Sequence, residues 1–150
     1  MDFLKLADEA AIEGMDNQAG GPFGATIVRG DEVIAAVANT MMRDTDPTAH
    51  AEMVAIREAC KKLSTMDLSD CVIYATCEPC PMCVGAIIWS GIKKVYYCNT
   101  AEDADKHGFS DIHLRKYLTG EDKSILNMVK VEKREDCDYL FEHFHNLNKK

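Results

Sequence analysis

The sequence predicts an α/β fold: a three-layer α/β/α sandwich around a central mixed five-stranded sheet. Three observations carry this. Stretches with apolar residues at helical spacing alternate with short β-type runs, the pattern of a sheet covered on both faces. The first two β runs flank a short polar turn, which makes them an antiparallel hairpin and the sheet mixed. The third run is apolar almost throughout, as a strand buried on both faces is.

Asp2 to about Met15 reads as a helix, with Phe3, Leu6, Ala7 and Ala10 at helical spacing and Lys5, Asp8 and Glu9 between them. Gly20-Gly21-Pro22 breaks the chain. Phe23–Val28 and Val33–Ala38 are the hairpin strands, with Gly30-Asp31 as the turn. Ala49–Leu63 is a second helix, its apolar stripe Met53, Ile56, Cys60 and Leu63. Cys71–Thr76 is the buried strand. Pro81 opens a helix at its first position and Gly91 sits just past its end. Between them Val84, Ala86, Ile87, Ile88 and Trp89 are apolar all round, so burial is expected. Ile92–Cys98 is the next strand, and Ala101–Phe109 an acidic, weakly periodic connector. Ser110–Leu118 reads as a helix, Met128–Glu132 as a fifth, edge strand, and Asp136–Leu147 as a final amphipathic helix that needs a surface to cover.

No linker, repeat or low-complexity stretch divides the 150 residues, so one domain spanning 1–150 is expected. A chain of this size needs no disulfide staples. Twenty-five acidic and 17 basic residues leave a net charge of −8. A domain that wraps nucleic acid carries the opposite sign, because its affinity comes largely from phosphate neutralisation. Nucleic acid is thus an unlikely partner, and a small neutral or cationic substrate is compatible. The start, Met1-Asp2-Phe3-Leu4-Lys5, has no basic, apolar leader pattern, and the apolar stretch Val84–Trp89 is too short to span a bilayer. The expectation is a cytoplasmic protein with no membrane segment and seven reduced cysteines.

Clustered cysteines in such a protein point to metal or catalysis. His50 lies in Thr48-Ala49-His50-Ala51-Glu52, and Cys80 and Cys83 in Glu78-Pro79-Cys80-Pro81-Met82-Cys83. Each set stands where the chain enters a helix, and the unpaired N–H groups there favour a thiolate. One imidazole and two thiolates suit Zn²⁺, and three protein ligands leave a fourth position for water. Glu52 is placed to move that water's proton. H-x-E followed by P-C-x-x-C is the motif of zinc-dependent nucleobase deaminases. Cys77 continues the C-x-x-C spacing backward, but lacks the fourth cysteine of an iron–sulfur run and reads as packing. Cys60 and Cys71 read as core.

These segments resemble the cytidine deaminase superfamily over nearly the whole chain. Within it, Gly21-Pro22-Phe23-Gly24-Ala25, Asp46-Pro47-Thr48-Ala49-His50-Ala51-Glu52, Thr76-Cys77-Glu78-Pro79-Cys80-Pro81-Met82-Cys83, Gly108-Phe109-Ser110-Asp111 and the tail Phe141–Lys150 are similar to the small bacterial guanine deaminases. The resemblance implies the cytidine deaminase-like sandwich and one Zn²⁺ per chain on His50, Cys80 and Cys83. It implies Glu52 as proton shuttle and Asp111 as a second catalytic acid, with Phe23 stacking on a purine and Asn39 binding it. Ser110 stands where that branch has an acidic residue. Glu78 either contacts a purine amino group or faces solvent. On the residues alone, Phe23 also fits a core position, Asn39 a strand end, and Asp111 a helix cap in competition with Ser110.

The implied reaction is guanine plus water giving xanthine and ammonia, with zinc lowering the pKa of its water. The enzymatic alternative is a tRNA adenosine deaminase, for which Lys61-Lys62, Lys93-Lys94 and Lys149-Lys150 are the available basic residues. Other small purines, triazines or nucleosides fit the motif too. A structural zinc protein is the non-enzymatic alternative, but it needs a fourth ligand and leaves Glu52 without a task. The resemblance further implies a homodimer in which the segment from about 100 to 150 crosses over, so that Asp111 and the tail cover the partner's site.

Overall fold

The computed structural model describes residues 1–132 and 135–148; Lys149 and Lys150 of the basic pairs lie outside them. The elements in order are α1 (Phe3–Asp16), β1 (Gly24–Arg29), β2 (Glu32–Ala38), α2 (Met41–Asp44), α3 (Ala51–Leu63), β3 (Val72–Cys77), α4 (Pro81–Ser90), β4 (Val95–Asn99), α5 (Ala101–Lys106), α6 (Ile112–Thr119) and α7 (Glu135–Leu147). The sheet order is β2-β1-β3-β4. β1 pairs antiparallel with both β2 and β3, and β3 pairs parallel with β4, so the sheet is mixed as expected. Arg29 opposes Glu32 across a two-residue turn, where Gly30 takes φ +62°, a conformation that glycine adopts without steric cost.

Helices cover both faces, giving the three layers. On one face α1 lies so close to β1 that a side chain at Gly24 would collide with the Ala7 carbonyl, and Phe3 meets Tyr74 with ring centroids 5.2 Å apart. On the other, Ala51, Ala55 and Ala59 of α3 and Ile87 of α4 pack with Ala25, Ile27 and Ile73 of the sheet. The deepest row of α3 is therefore alanine. Ile56, Cys60 and Leu63 of the expected stripe lie beside it, half-buried. Small residues let the helix approach the sheet closely, which brings its first turn to the C-terminal end of β3.

Several expectations need correction. The sheet has four strands among the described residues, because Met128–Glu132 forms no strand. That segment is exposed and pairs with neither edge strand, β2 or β4, and a β-type run that finds no ladder partner does not become a strand. α4 is not buried all round. Cys83, Ile87 and Ser90 are inside, whereas Val84 and Ile88 are exposed and Trp89 is 91% exposed. The packed side of α4 is the one toward α3 and the sheet core. The acidic connector is partly helical: Thr100 Oγ1 accepts the Asp103 amide at 3.1 Å and Asp103 Oδ2 accepts the Thr100 amide at 2.9 Å, a capping box that starts α5. α2 was not anticipated; four residues are too few for periodicity to reveal. α7 forms where expected, and its apolar residues Tyr139, Leu140, Phe141, Phe144 and Leu147 are all exposed.

Candidate active site

The site forms where α3 and α4 begin. His50 is the residue before α3 and Cys80 the residue before α4; both are extended, with ψ 155° and 168°. Neither side chain caps its own helix, so both are free to turn toward each other. Pro81 is pre-set for the first helical position, and the turn it begins places Cys83 beside Cys80. His50 Nδ1 lies 3.6 Å from Cys80 Sγ and 3.5 Å from Cys83 Sγ, and the three donor atoms all fall within 4.8 Å of one another. Tetrahedral zinc with Zn–S of about 2.3 Å and Zn–N of about 2.05 Å separates sulfur from nitrogen by about 3.6 Å. The donor set therefore fits zinc in chemistry and in spacing.

The electrostatics agree with a metal-binding thiolate. Hydrogen bonding to the Cys83 thiol and to His50 brings Cys80 down to about 4, against the opposing cost of burial. Cys83 moves up, because its thiol serves Cys80 and is buried. The two sulfurs thus share one proton, and the directions belong to the pair. His50 is raised, first through its contact with Cys80. A dication among these donors favours loss of the remaining proton as well.

Glu52 stands in the first turn of α3 with only 7% of its surface exposed. Burial raises its pKa, partly offset by a hydrogen bond from its own amide, by His50 and by the Cys83 thiol. It lies beside the donors rather than among them, and opens onto a cavity of about 430 Å³. That volume is in the usual range for small-molecule sites.

The same cavity is lined by Phe23, Asn39, Glu78 and Asp111, so all the residues named from the sequence converge on it or on the metal donors. Asn39 is buried, its Oδ1 accepting the Met41 amide at 3.0 Å while its Nδ2 faces only the Met41 sulfur at 3.4 Å. Gly20 makes this possible, because a Cβ there would collide with Asn39 Oδ1. Glu78 accepts the Ala101 amide at 3.0 Å, so part of its carboxylate is spent on the start of α5. The capping competition at α6 is resolved: Ser110 Oγ accepts the Ile112 amide at 3.3 Å, and Asp111 caps nothing. Asp111 instead pairs with Arg115, Nε at 3.0 Å from Oδ1 and the same guanidinium 3.0 Å from Oδ2.

Asp111 lines the same pocket as Glu52 and His50 within this chain. Two further residues, Phe109 and Arg115, were assigned no role from the sequence, and the reading of Cys77 as packing changes. Phe109 meets Phe23 edge-on, centroids 5.3 Å apart and planes at 90°, and makes a second aromatic wall. Cys77 lines the cavity rather than packing in the core. Arg115 was legible only as the basic member of an i,i+4 acid–base pair, a weak and common pattern.

Residues 1–99 match a family model described as the cytidine and deoxycytidylate deaminase zinc-binding region. The guanine deaminase of Bacillus subtilis (strain 168) is 49% identical over 116 residues, covering 77% of this chain and 74% of that protein. The tRNA-specific adenosine deaminase of Aquifex aeolicus (strain VF5) is 44% identical over 106 residues, covering 71% and 68%. An X-ray structure of guanine deaminase from Bacillus subtilis superposes with a TM-score of 0.92 at 40% identity, covering all of this chain and 98% of that one.

Proposed function

The chain belongs to the cytidine and deoxycytidylate deaminase family, and from that premise we propose that it hydrolyses guanine to xanthine and ammonia. The observation that carries the reading is Glu52: a buried carboxylate beside a three-donor metal set, opening onto a pocket with aromatic walls. A structural zinc site has no use for it. The likeness to the Bacillus subtilis guanine deaminase, which extends through the C-terminal segment, supports guanine over other bases. The net charge of −8 weighs against an RNA substrate, and Lys94 is already engaged over the Tyr96 ring at 5.2 Å.

His50, Cys80 and Cys83 would hold one zinc ion, whose Lewis acidity would make water a nucleophile near neutral pH. Glu52 accepts the proton released and delivers it to a ring nitrogen, then assists departure of ammonia from C2. Phe23 and Phe109 flank the base, and the Asn39 amide offers it a donor. Asp111, ion-paired to Arg115, faces the base and offers it carboxylate oxygens as acceptors. Six free cysteines among the described residues fit a reducing, cytoplasmic setting.

The active form is a homodimer. Val84, Ile88 and Trp89 on α4 and Leu140, Phe141, Phe144 and Leu147 on α7 are apolar surfaces that a second copy covers. β4 is an edge strand, and the segment Met128–Glu132, unpaired in its own chain, is suited to complete the sheet of the partner. With Asp111 at the pocket of this chain, the part of the 100–150 segment proposed to exchange is the stretch after Gly120. Light scattering checks this: wild type runs at twice the chain mass, and L140D/F144D dissociates or aggregates. A wild-type monomer with full activity overturns the dimer.

The function is tested by ammonia release from guanine, guanosine, adenine, cytosine, cytidine and an anticodon stem-loop RNA. Guanine is expected to lead by a wide margin. Inosine formed in the stem-loop, with guanine untouched, would show that the substrate is tRNA.

A further inference from the structure

We propose that Arg115 is a positioning residue for substrate affinity: it clamps the Asp111 carboxylate against the loop that carries Cys80, and so sets how tightly the base is held without acting on the chemical step. The inference rests on the reading above that the pocket binds a purine.

The guanidinium makes four contacts, all to this site. Nε and one terminal nitrogen each lie 3.0 Å from an Asp111 oxygen. That terminal nitrogen also donates to the Pro79 carbonyl at 3.3 Å and lies 3.9 Å from Glu78 Oε2. Pro79 is buried and immediately precedes Cys80, so the contact ties α6 to the backbone of the metal loop. Little else holds α6 in place. None of its residues is buried, and the turn before it, at Phe109 and Ser110, is exposed. A carboxylate at the N-cap position of such a helix, making no cap bond of its own, would sample several rotamers, and ordering it would be charged against substrate binding. A planar fork fixes both carboxylate oxygens at once. Lysine, a single flexible point charge, cannot reproduce this together with the carbonyl contact. Arg115 touches none of the metal donors or Glu52 by hydrogen bond or ion pair among the described contacts, so its loss spares metal and proton transfer.

The test is steady-state kinetics of R115A, R115Q and R115K as zinc-loaded full-length protein, with zinc content measured on each. The expected result is a KM for guanine raised at least ~10-fold in R115A and R115Q, with kcat within ~3-fold of wild type. R115K falls between, and one zinc per chain is retained throughout. Millimolar guanidinium, too dilute to unfold the protein, lowers the KM of R115A. If R115A does not fold, the Gln and Lys variants carry the KM-against-kcat comparison. An unchanged KM, a loss confined to kcat, a loss of zinc, or a raised KM indifferent to guanidinium each overturns the proposal. Wild type in the same assay separates the two ideas: if it ignores guanine and turns over another base, the functional reading fails, and the variants are judged on that base.

Discussion

Glu52→Gln keeps one zinc per chain and the wild-type fold, and loses turnover by at least ~10²–10⁴-fold, the usual worth of a positioned acid–base. The substitution is nearly isosteric, so the packing of the first turn of α3 is retained. It leaves His50, Cys80 and Cys83 untouched, and they are the metal donors. What it removes is the buried carboxylate beside those donors that takes up and returns the proton. Stability moves the other way. Burial raises the Glu52 pKa, so the metal-free folded state holds the proton more tightly than the unfolded chain does. Above that raised value the ionised carboxylate costs stability, and the cost fades as pH falls from the raised value to the unfolded one. Metal-free Glu52→Gln is therefore at least as stable as metal-free wild type at neutral pH, and the difference shrinks in acid. Elemental analysis, thermal unfolding and initial rates on the same preparation check all three expectations. Near-normal rates in the zinc-loaded variant would mean that the shuttle lies elsewhere.

Cys80→Ala and Cys83→Ala each lose zinc, and with it turnover falls to background. Three protein donors define the site, and removing one leaves two, too few to hold zinc against the dilution of an assay. The two variants differ in a second way. Cys83 is fully buried and Cys80 is half-buried, so only Cys83→Ala also leaves a small void in the interior. Both lose the stabilisation that metal binding lends the folded state, which grows with the free zinc concentration. Unfolding in excess zinc and in chelator measures it: the wild-type midpoint drops in chelator, and that of either variant does not. Iron in place of zinc in metal-replete wild type, or a metal-free variant with intact activity, would defeat the assignment.

The metal donors and Glu52 were legible because their relations are local. Cys80, Pro81 and Cys83 lie within one helical turn, and His50 and Glu52 within one helix start, so spacing alone carries the geometry. Phe23 and Asn39 were legible through resemblance, and the structure brings both to the cavity. Arg115 was not, because its value lies in reaching Pro79 and Glu78 across 36 and 37 positions of chain. Gly20 was not either: nothing in a Gly-Gly-Pro break says that Asn39 occupies the space where a Cβ would go.

By itself the sequence determined the class of fold, the hairpin, the placement of most helices and the donor set with its adjacent carboxylate. Each follows from periodicity, turn chemistry or short spacing, which act over a few residues. Only the tertiary structure decided which surfaces meet. It turned one side of the apolar α4 outward, left the Met128–Glu132 run unpaired, and brought Asp111 to the pocket that holds Glu52. The physical reason is that an apolar pattern records that a surface is to be covered, not by what. A helix apolar all round and a strand-like run look the same whether their partners lie in the same chain or in another, and only the packed arrangement tells the two apart.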